Sequence, residues 1–312
     1  MKLFAKILEW GVNFFGFILA HLPHWVFLLF VDGLAWLMRK FDKRRFKDAK
    51  ANLDFVYGQS LNEIEKENLI HRCYRNFAFI LLESIRVVYI PKSKYKSRFQ
   101  IINKHYLTDS LKGDKSIVLM SGHYGYWEAM ATILPQEFQG YDLASLGRLT
   151  DYKAINDLII SRREACGVRL IDKKGAFKHL LKMYSNSKAV VGILLDQNIS
   201  IDEGIWVDFF GKETTHSTIA SILSRRFEVD IVPVFIDFNQ DYSKFEIRFY
   251  PPIRTQITEN ATNDIYESTQ KQAKLTEEII RQNPSAWFWF HKRWKSKYGE
   301  IYQHPPHSLS KP

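Results

Sequence analysis

One histidine and one glutamate stand where they could do proton chemistry together. They lie in Ser116-Ile-Val-Leu-Met-Ser-Gly-His-Tyr-Gly-Tyr-Trp-Glu-Ala-Met130, which places His123 five residues before Glu128. A histidine base partnered by a carboxylate is the usual means of taking a proton near neutral pH. The spacing is weak support by itself. With 10 His and 34 acidic residues in 312, chance supplies about one His-x4-acid pair. On one regular helix, positions five apart lie roughly 140° apart around the axis and would not meet. Contact requires His123 in a turn and Glu128 in the first turn of a following helix. On this ground alone a catalytic dyad and a satisfied structural histidine stay equally open.

The elements around the pair fit that requirement. Ile117 to Met120 is a β-branched and apolar run with strand character, ending at Ser121-Gly122. From Tyr126 the apolar positions Trp127, Met130, Ala131 and Leu134 recur at helical steps, and Pro135 is expected to stop them. Loops at the carboxyl ends of strands are where open α/β sheets place reactive groups. Gly122 and Gly125 flank the turn and permit unusual backbone angles. Backbone N–H groups of that turn, or a nearby arginine, are candidate oxyanion donors.

Nucleophilic chemistry finds less support. Ser121 lacks the Gly-x-Ser-x-Gly elbow, because position 119 is Leu and position 123 is His. Cys73 and Cys166 are the only cysteines; they form no Cys-x-x-Cys pair and no disulfide framework. No His–carboxylate cluster in the sequence suggests a metal, and none is expected.

The net charge of +10 and the 15% aromatic content suit an anionic partner such as acidic lipid, nucleic acid or an acidic protein. No RNA-binding signature is present, so no nucleic acid is expected. Residues 1–38 hold two apolar, aromatic segments, 10–22 and 25–38, interrupted by His21, Pro23, His24 and Asp32. Neither reaches about 20 uninterrupted apolar residues. They read as a membrane anchor: a tilted span, a re-entrant hairpin or an interfacial pair. Arg39, Lys40, Lys43, Arg44, Arg45, Lys47 and Lys50 follow, a cluster that favours the cytoplasmic side of a membrane.

Ser60-Leu-Asn-Glu63 matches a capping box for a long helix to about 89, and Glu83 within it calls for a cation. From Phe99 onward strands and helices alternate. Strands are expected at 143–146, 189–195, 231–238 and 245–250, the last two as a hairpin. Helices are expected at 152–165, 218–227 and 264–282. The fold class is therefore α/β: a mostly parallel central sheet with an antiparallel edge, flanked by helices. Residues 39–300 form one catalytic-sized domain, and 301–312 form a flexible tail.

Four stretches recur in a known order. They are Gly122-His-Tyr-Gly-Tyr-Trp-Glu128; Gly147-Arg-Leu with Asn156 and Arg162-Arg163; Leu195-Asp-Gln-Asn198 leading to Val207-Asp-Phe-Phe-Gly211 with Thr214 and Thr215; and Trp287-Phe-Trp-Phe-His-Lys-Arg-Trp-Lys295. Together they resemble the bacterial lipid A biosynthesis acyltransferases, the late lauroyl/myristoyl transferases within the wider glycerolipid acyltransferase fold. The resemblance runs from the apolar N-terminus to Lys295.

That resemblance implies an enzyme on the cytoplasmic face of the inner membrane. Such an enzyme moves a fatty acyl chain from acyl carrier protein to a hydroxyl of a phosphorylated glucosamine lipid, with no cofactor. Acyl-CoA is a possible alternative donor. His123 and Glu128 match the family dyad: His123 as general base, Glu128 orienting the imidazole, and no covalent intermediate. Arg148 and Arg162 or Arg163 match its arginines, suited to clamp phosphates. Asp196 matches the first acid of its third motif, where Asn198 replaces the second. Thr214, His291 and Arg293 complete the expected substrate contacts. Trp287 to Phe290 beside His291, Lys292, Arg293 and Lys295 would form an interfacial aromatic belt. Two other readings fit the same residues: an acyltransferase for another lipid acceptor, and a non-catalytic basic protein of the membrane surface.

Overall fold

The computed structural model describes residues 2–147, 160, 162–172 and 175–303. Their centre is a seven-stranded sheet in the order β1-β9-β8-β2-β5-β3-β4. The strands are β1 (Phe99–Ile102), β2 (Ile117–Ser121), β3 (Asp142–Gly147), β4 (Val168–Asp172), β5 (Ala189–Leu194), β8 (Asp230–Phe238) and β9 (Phe245–Phe249). β8, β2, β5, β3 and β4 run parallel, and the β8–β9 hairpin turns β9 and β1 the other way. The expected mostly parallel sheet with an antiparallel edge is what forms. β2 is buried at every position, as a continuous Ile-Val-Leu-Met run in a central parallel strand should be.

β1 and β4 are not legible in the sequence; both are short and half-exposed strands at the two sheet edges. A second, two-stranded sheet pairs β6 (Gly204–Phe209) with β7 (Lys212–Ser217). Phe210 and Gly211 form its two-residue loop, both at positive φ (60° and 70°), as a type I′ hairpin requires. Phe209 and Phe210 are buried, so this turn belongs to the core.

Helices α1 (Lys2–His21), α2 (His24–Phe41), α3 (Lys43–Tyr57) and α4 (Glu63–Arg86) come first. The cap of α4 is Asn62 with Glu65, not Ser60 with Glu63, because Ser60 is taken up in a 3₁₀ turn, Gly58–Ser60. The α-helix Met130–Ile133 ends just before Pro135, as expected, and the proline sits in the first turn of a 3₁₀ helix, Leu134–Glu137, where a missing N–H costs nothing. The helix expected over 152–165 lies mostly outside the described residues.

α1 and α2 form a hairpin against α4 and bury Leu19, Phe27, Val31 and Ala35. Among the described residues no helix is long and apolar enough to cross a membrane. Residues 2–38 fold as the helix pair α1 and α2. Their apolar residues are shared between a face on α4 and an outward face carrying Trp10, Phe14, Trp25, Leu29, Trp36 and Phe41. The tail also begins later than 301, since Tyr302 is buried and its hydroxyl donates to Asn52 Oδ1.

Glu83 is fully buried on α4 and carries the cations its position called for. Arg86 lies 2.7 Å from one oxygen and Arg98 2.6 Å from the other.

Candidate active site

β2 and β5 are neighbours in register, with Ser121 opposite Leu194. Two residues past each strand end, the chains present His123 and Asp196. His123 Nδ1 lies 2.8 Å from Asp196 Oδ1, and the His123 backbone N–H donates to Asp196 Oδ2 at 2.7 Å. Trp287 Nε1 donates to the same oxygen at 2.7 Å. Asp196 is 1% exposed. Burial pushes its carboxyl up, but the His123 charge and hydrogen bond, the His291 charge and the Trp287 N–H together hold it well below the usual carboxylate range. An ionised Asp196 accepts the Nδ1 proton of His123 and leaves Nε2 as the acceptor nitrogen of the ring.

The turn that carries His123 is pinned from two sides. Gly125 has φ 55°, and a Cβ there would sit 1.8 Å from the Ile236 carbonyl oxygen on β8, so only glycine fits. Its N–H donates to the Ala286 carbonyl, and Phe288 N–H donates to the His123 carbonyl, at 2.9 Å each. The aromatic segment 287–294 is therefore core: Trp287, Trp289 and Trp294 are each at most 1% exposed. The expected interfacial belt at Trp287–Phe290 is overturned. These rings pack on one another and on Phe209 and Phe210.

Nε2 of His123 faces Gln197, whose side-chain nitrogen lies 3.1 Å away and 3.3 Å from His291 Nε2. The two imidazole rings meet edge to face at 4.7 Å. Since Nε2 of His123 is an acceptor, the Gln197 amide nitrogen is the donor. His123, Asp196 and His291 each offer a ligand atom within 4.8 Å of the others, a spacing compatible with a metal ion. Three donors already share the two oxygens of Asp196, so the cluster is satisfied as a hydrogen-bond network.

Glu128 does not orient the imidazole. Between the two residues the chain runs through the Gly125 turn into a 3₁₀ helix, Trp127–Ala129, rather than directly into an α-helix. Glu128 is turned toward Trp127 Nε1 (3.2 Å) and Arg163 Nη2 (3.0 Å). Arg163 Nη1 donates to Ser145 Oγ on β3 at 2.8 Å. This bridge crosses a cleft at the sheet surface that Glu128, Arg163 and Ser145 all line. Its floor is the sheet face of β2, β5 and β3, and Trp127, Met130, Leu134 and Phe138 cover it. Trp127 also touches the His123 ring edge to face at 5.3 Å.

The sequence profile of the bacterial lipid A biosynthesis acyltransferases matches residues 2–296. The chain belongs to this family. Among curated relatives of this acyltransferase, the lipid A biosynthesis acyltransferase of Haemophilus influenzae is 21% identical over 293 residues, covering 92% of this chain and 88% of the relative. The lipid A biosynthesis lauroyltransferase of Escherichia coli K12 is 21% identical over 282 residues, covering 90% and 89%.

The remaining expected contacts of the acyltransferase divide. His291 joins the site. Arg293 and Thr214 do not face substrate, because both are fully buried. Arg293 donates to the carbonyls of Gln197 and Thr215 and to His216 Nδ1, while Thr214 Oγ1 donates to the Arg293 carbonyl. Burial lowers the Arg293 guanidinium to about 10, so it stays charged at neutral pH. Burial and the Arg293 charge lower His216 to about 3, so it stays neutral. Asp196 cannot contact substrate either; it is spent on His123.

Arg162 donates to the Ser84 carbonyl at 2.6 Å, and Arg163 is held by Glu128 and Ser145. Neither guanidinium projects as a phosphate clamp. Arg148 lies outside the described residues. The turn amides are mostly committed as well: His123 N to Asp196, Tyr124 N to the Gly122 carbonyl, and Gly125 N to Ala286.

Sequence reasoning missed Gln197 and Trp287 as site residues. Gln197 sat inside a quoted motif, next to Asp196, and its position just past the end of β5 was the available signal. Trp287 gave no local signal that its indole N–H would reach residue 196.

Proposed function

We propose that this chain transfers a fatty acyl group from an acyl thioester to a hydroxyl of a lipid A precursor, with His123 as general base and Asp196 as its orienting partner. The observation that carries this reading is the ordered His123–Asp196 pair at the carboxyl ends of parallel strands, its imidazole against Trp127, which lines an apolar cleft. Family membership supplies the acyl chemistry and the acceptor class, and both curated relatives bear lipid A acyltransferase names.

His123 Nε2 takes the proton of the acceptor hydroxyl as its oxygen attacks the thioester carbonyl carbon. The imidazolium is stabilised by ionised Asp196. That attack forms the new C–O bond; collapse of the tetrahedral intermediate restores the carbonyl and breaks the C–S bond, and the proton passes from Nε2 to the leaving thiolate. With the turn amides committed, the oxyanion donor is the Gln197 side-chain N–H, freed from Nε2 when the acceptor hydroxyl takes its place there; the Gln197 backbone carbonyl is held by Arg293. Glu128 acts through Arg163 and Ser145, by fixing the edge of the cleft.

The donor is acyl carrier protein, whose acidic surface suits a chain of net charge +10. The outward aromatic face of α1 and α2, next to the basic start of α3, rests on the cytoplasmic surface of the inner membrane. The test is acyl transfer by the purified full-length chain, with acyl carrier protein and coenzyme A thioesters, to phosphorylated glucosamine lipids and to lysophospholipids. Transfer from the carrier-protein thioester to the glucosamine lipid is expected, reduced about 10²- to 10⁴-fold in His123→Ala. Undiminished transfer by that variant would remove the base assignment.

A further inference from the structure

The cleft floor contains a glycine that the backbone does not require. Gly192 lies in the middle of β5, and it is not among the positions of positive φ. A Cβ built there would meet only the Ala144 carbonyl oxygen, at 4.0 Å. Glycine inside a strand weakens it and leaves nothing to pack, so its presence marks a place where something else approaches. The other interior positions of β5 on the same face, Val190 and Leu194, carry full side chains.

The register shows what space the glycine leaves. Gly192 pairs with Leu119 on β2 and with Ser145 on β3, forming one row across the floor. One row deeper, Val190 pairs with Leu143, and Leu143 with Val168. One row nearer the site, Leu194 pairs with Ser121, which leads into Gly122 and His123. From Leu194 to Val190 the floor runs roughly 13 Å at about 3.3 Å per residue, with Gly192 at its midpoint. Its deeper row is apolar, Val190 with Leu143 and Val168, and Leu134, Pro135 and Phe138 also line the cleft. An unbranched hydrocarbon fits a narrow apolar trench with one end at the reacting groups.

We propose that this trench holds the hydrocarbon chain of the acyl donor, and that the missing side chain at Gly192 sets how long a chain it accepts. This rests on the acyl-transfer reading above. The donor chain is the occupant, rather than a chain of the acceptor, because the trench reaches the site along Trp127 and Ser121, beside His123, where the thioester carbon must lie. A Cβ at position 192 intrudes halfway along. Each methylene that loses its cover reduces kcat/KM by about fourfold.

The experiment is a donor series from eight to eighteen carbons (~2-carbon steps, each step a countable loss of cover) offered to wild type, Gly192→Ala, Gly192→Val and Gly192→Leu. A fixed acceptor is used first, and then acceptors differing in their own chain length. The preferred donor should shorten progressively from Ala to Leu, with short-donor rates kept and acceptor preference unmoved. Gly192→Ala should at the same time raise the thermal midpoint, by roughly 1–3 °C, because a Cβ fits the strand. That gain guards against misfolding as the cause of any loss. Active variants with an unchanged donor profile, or with a shift confined to acceptor chain length, would overturn the proposal while leaving acyl transfer intact. Absence of transfer from every donor by wild type would instead remove the acyl-transfer reading on which the proposal stands.

Discussion

The imidazole Nδ1 of His123 and Oδ1 of Asp196 lie 2.8 Å apart, although the residues are 73 positions apart in the chain. Each follows its strand by two residues, and the strands are adjacent, parallel and in register. The contact is thus a product of sheet topology rather than of local spacing. It also fixes the charge state: an ionised, buried Asp196 has His123, its backbone N–H and Trp287 as donors. Because its carboxyl is held below the usual range, its contribution to stability is present above the unfolded carboxylate pKa. That contribution is lost as pH falls through the folded value.

Gln197 is expected to act in the transition state. Gln197→Ala should lower kcat about 10²- to 10³-fold with little change in KM, the loss typical of one oxyanion donor. Gln197→Glu, which keeps the size but brings no N–H, should not restore the rate. A raised KM at unchanged kcat would mean that Gln197 only binds substrate.

Glu83 is expected to be a stability residue. Glu83→Ala leaves Arg86 and Arg98 without their buried carboxylate, and urea unfolding should show a loss of about 3–5 kcal/mol. A change within about 0.5 kcal/mol would show that the guanidinium groups find water or other partners.

His216 gives stability a pH dependence of known sign. Its folded value is lowered to about 3 from the ordinary 6.5, so between those values the unfolded chain binds a proton that the native one refuses. Stability should therefore rise with pH across that window, by up to about 1.4 kcal/mol per unit, and show no contribution from His216 above it. Thermal midpoints measured between pH 4 and 8 (about a unit apart, to resolve that slope) should lose this part of the slope in His216→Gln, which retains an acceptor for Arg293. Identical slopes in the two proteins would refute it.

The fold and half of the site were legible in the sequence for the same reason. Buried parallel strands such as 189–195 and 231–238 are long apolar runs, and a histidine in a strand-to-helix turn is visible locally. The partner of His123 was not visible, because register between β2 and β5 is decided by packing across the sheet. Arg293 and Thr214 were read as substrate contacts because they are polar residues in matching motifs. In the fold their polar groups satisfy buried backbone and one another. Trp287 to Phe290 show the converse. An aromatic run beside basic residues reads as a membrane belt, but Trp287, Trp289 and Phe290 are buried behind the catalytic turn and Phe288 is half-buried.

The outward face of α1 and α2 should carry membrane contact. Trp25 and Trp36 are 66% and 49% exposed. The double variant Trp25→Ser, Trp36→Ser should sediment with anionic phospholipid vesicles roughly tenfold less well, with an unchanged thermal midpoint. Equal sedimentation would move the membrane contact elsewhere.

The pH dependence of kcat/KM in wild type, Asp196→Asn and Glu128→Gln tests the account most directly. Asp196→Asn removes the negative charge beside Nδ1, so the acid limb should move to lower pH by about one unit or more while the rate falls about 10²- to 10⁴-fold. Glu128→Gln should lower the rate without moving the acid limb, because Glu128 holds Arg163 and not the imidazole. An acid limb that moves in Glu128→Gln and stays in place in Asp196→Asn would contradict the assignment of Asp196 as the partner of the catalytic base.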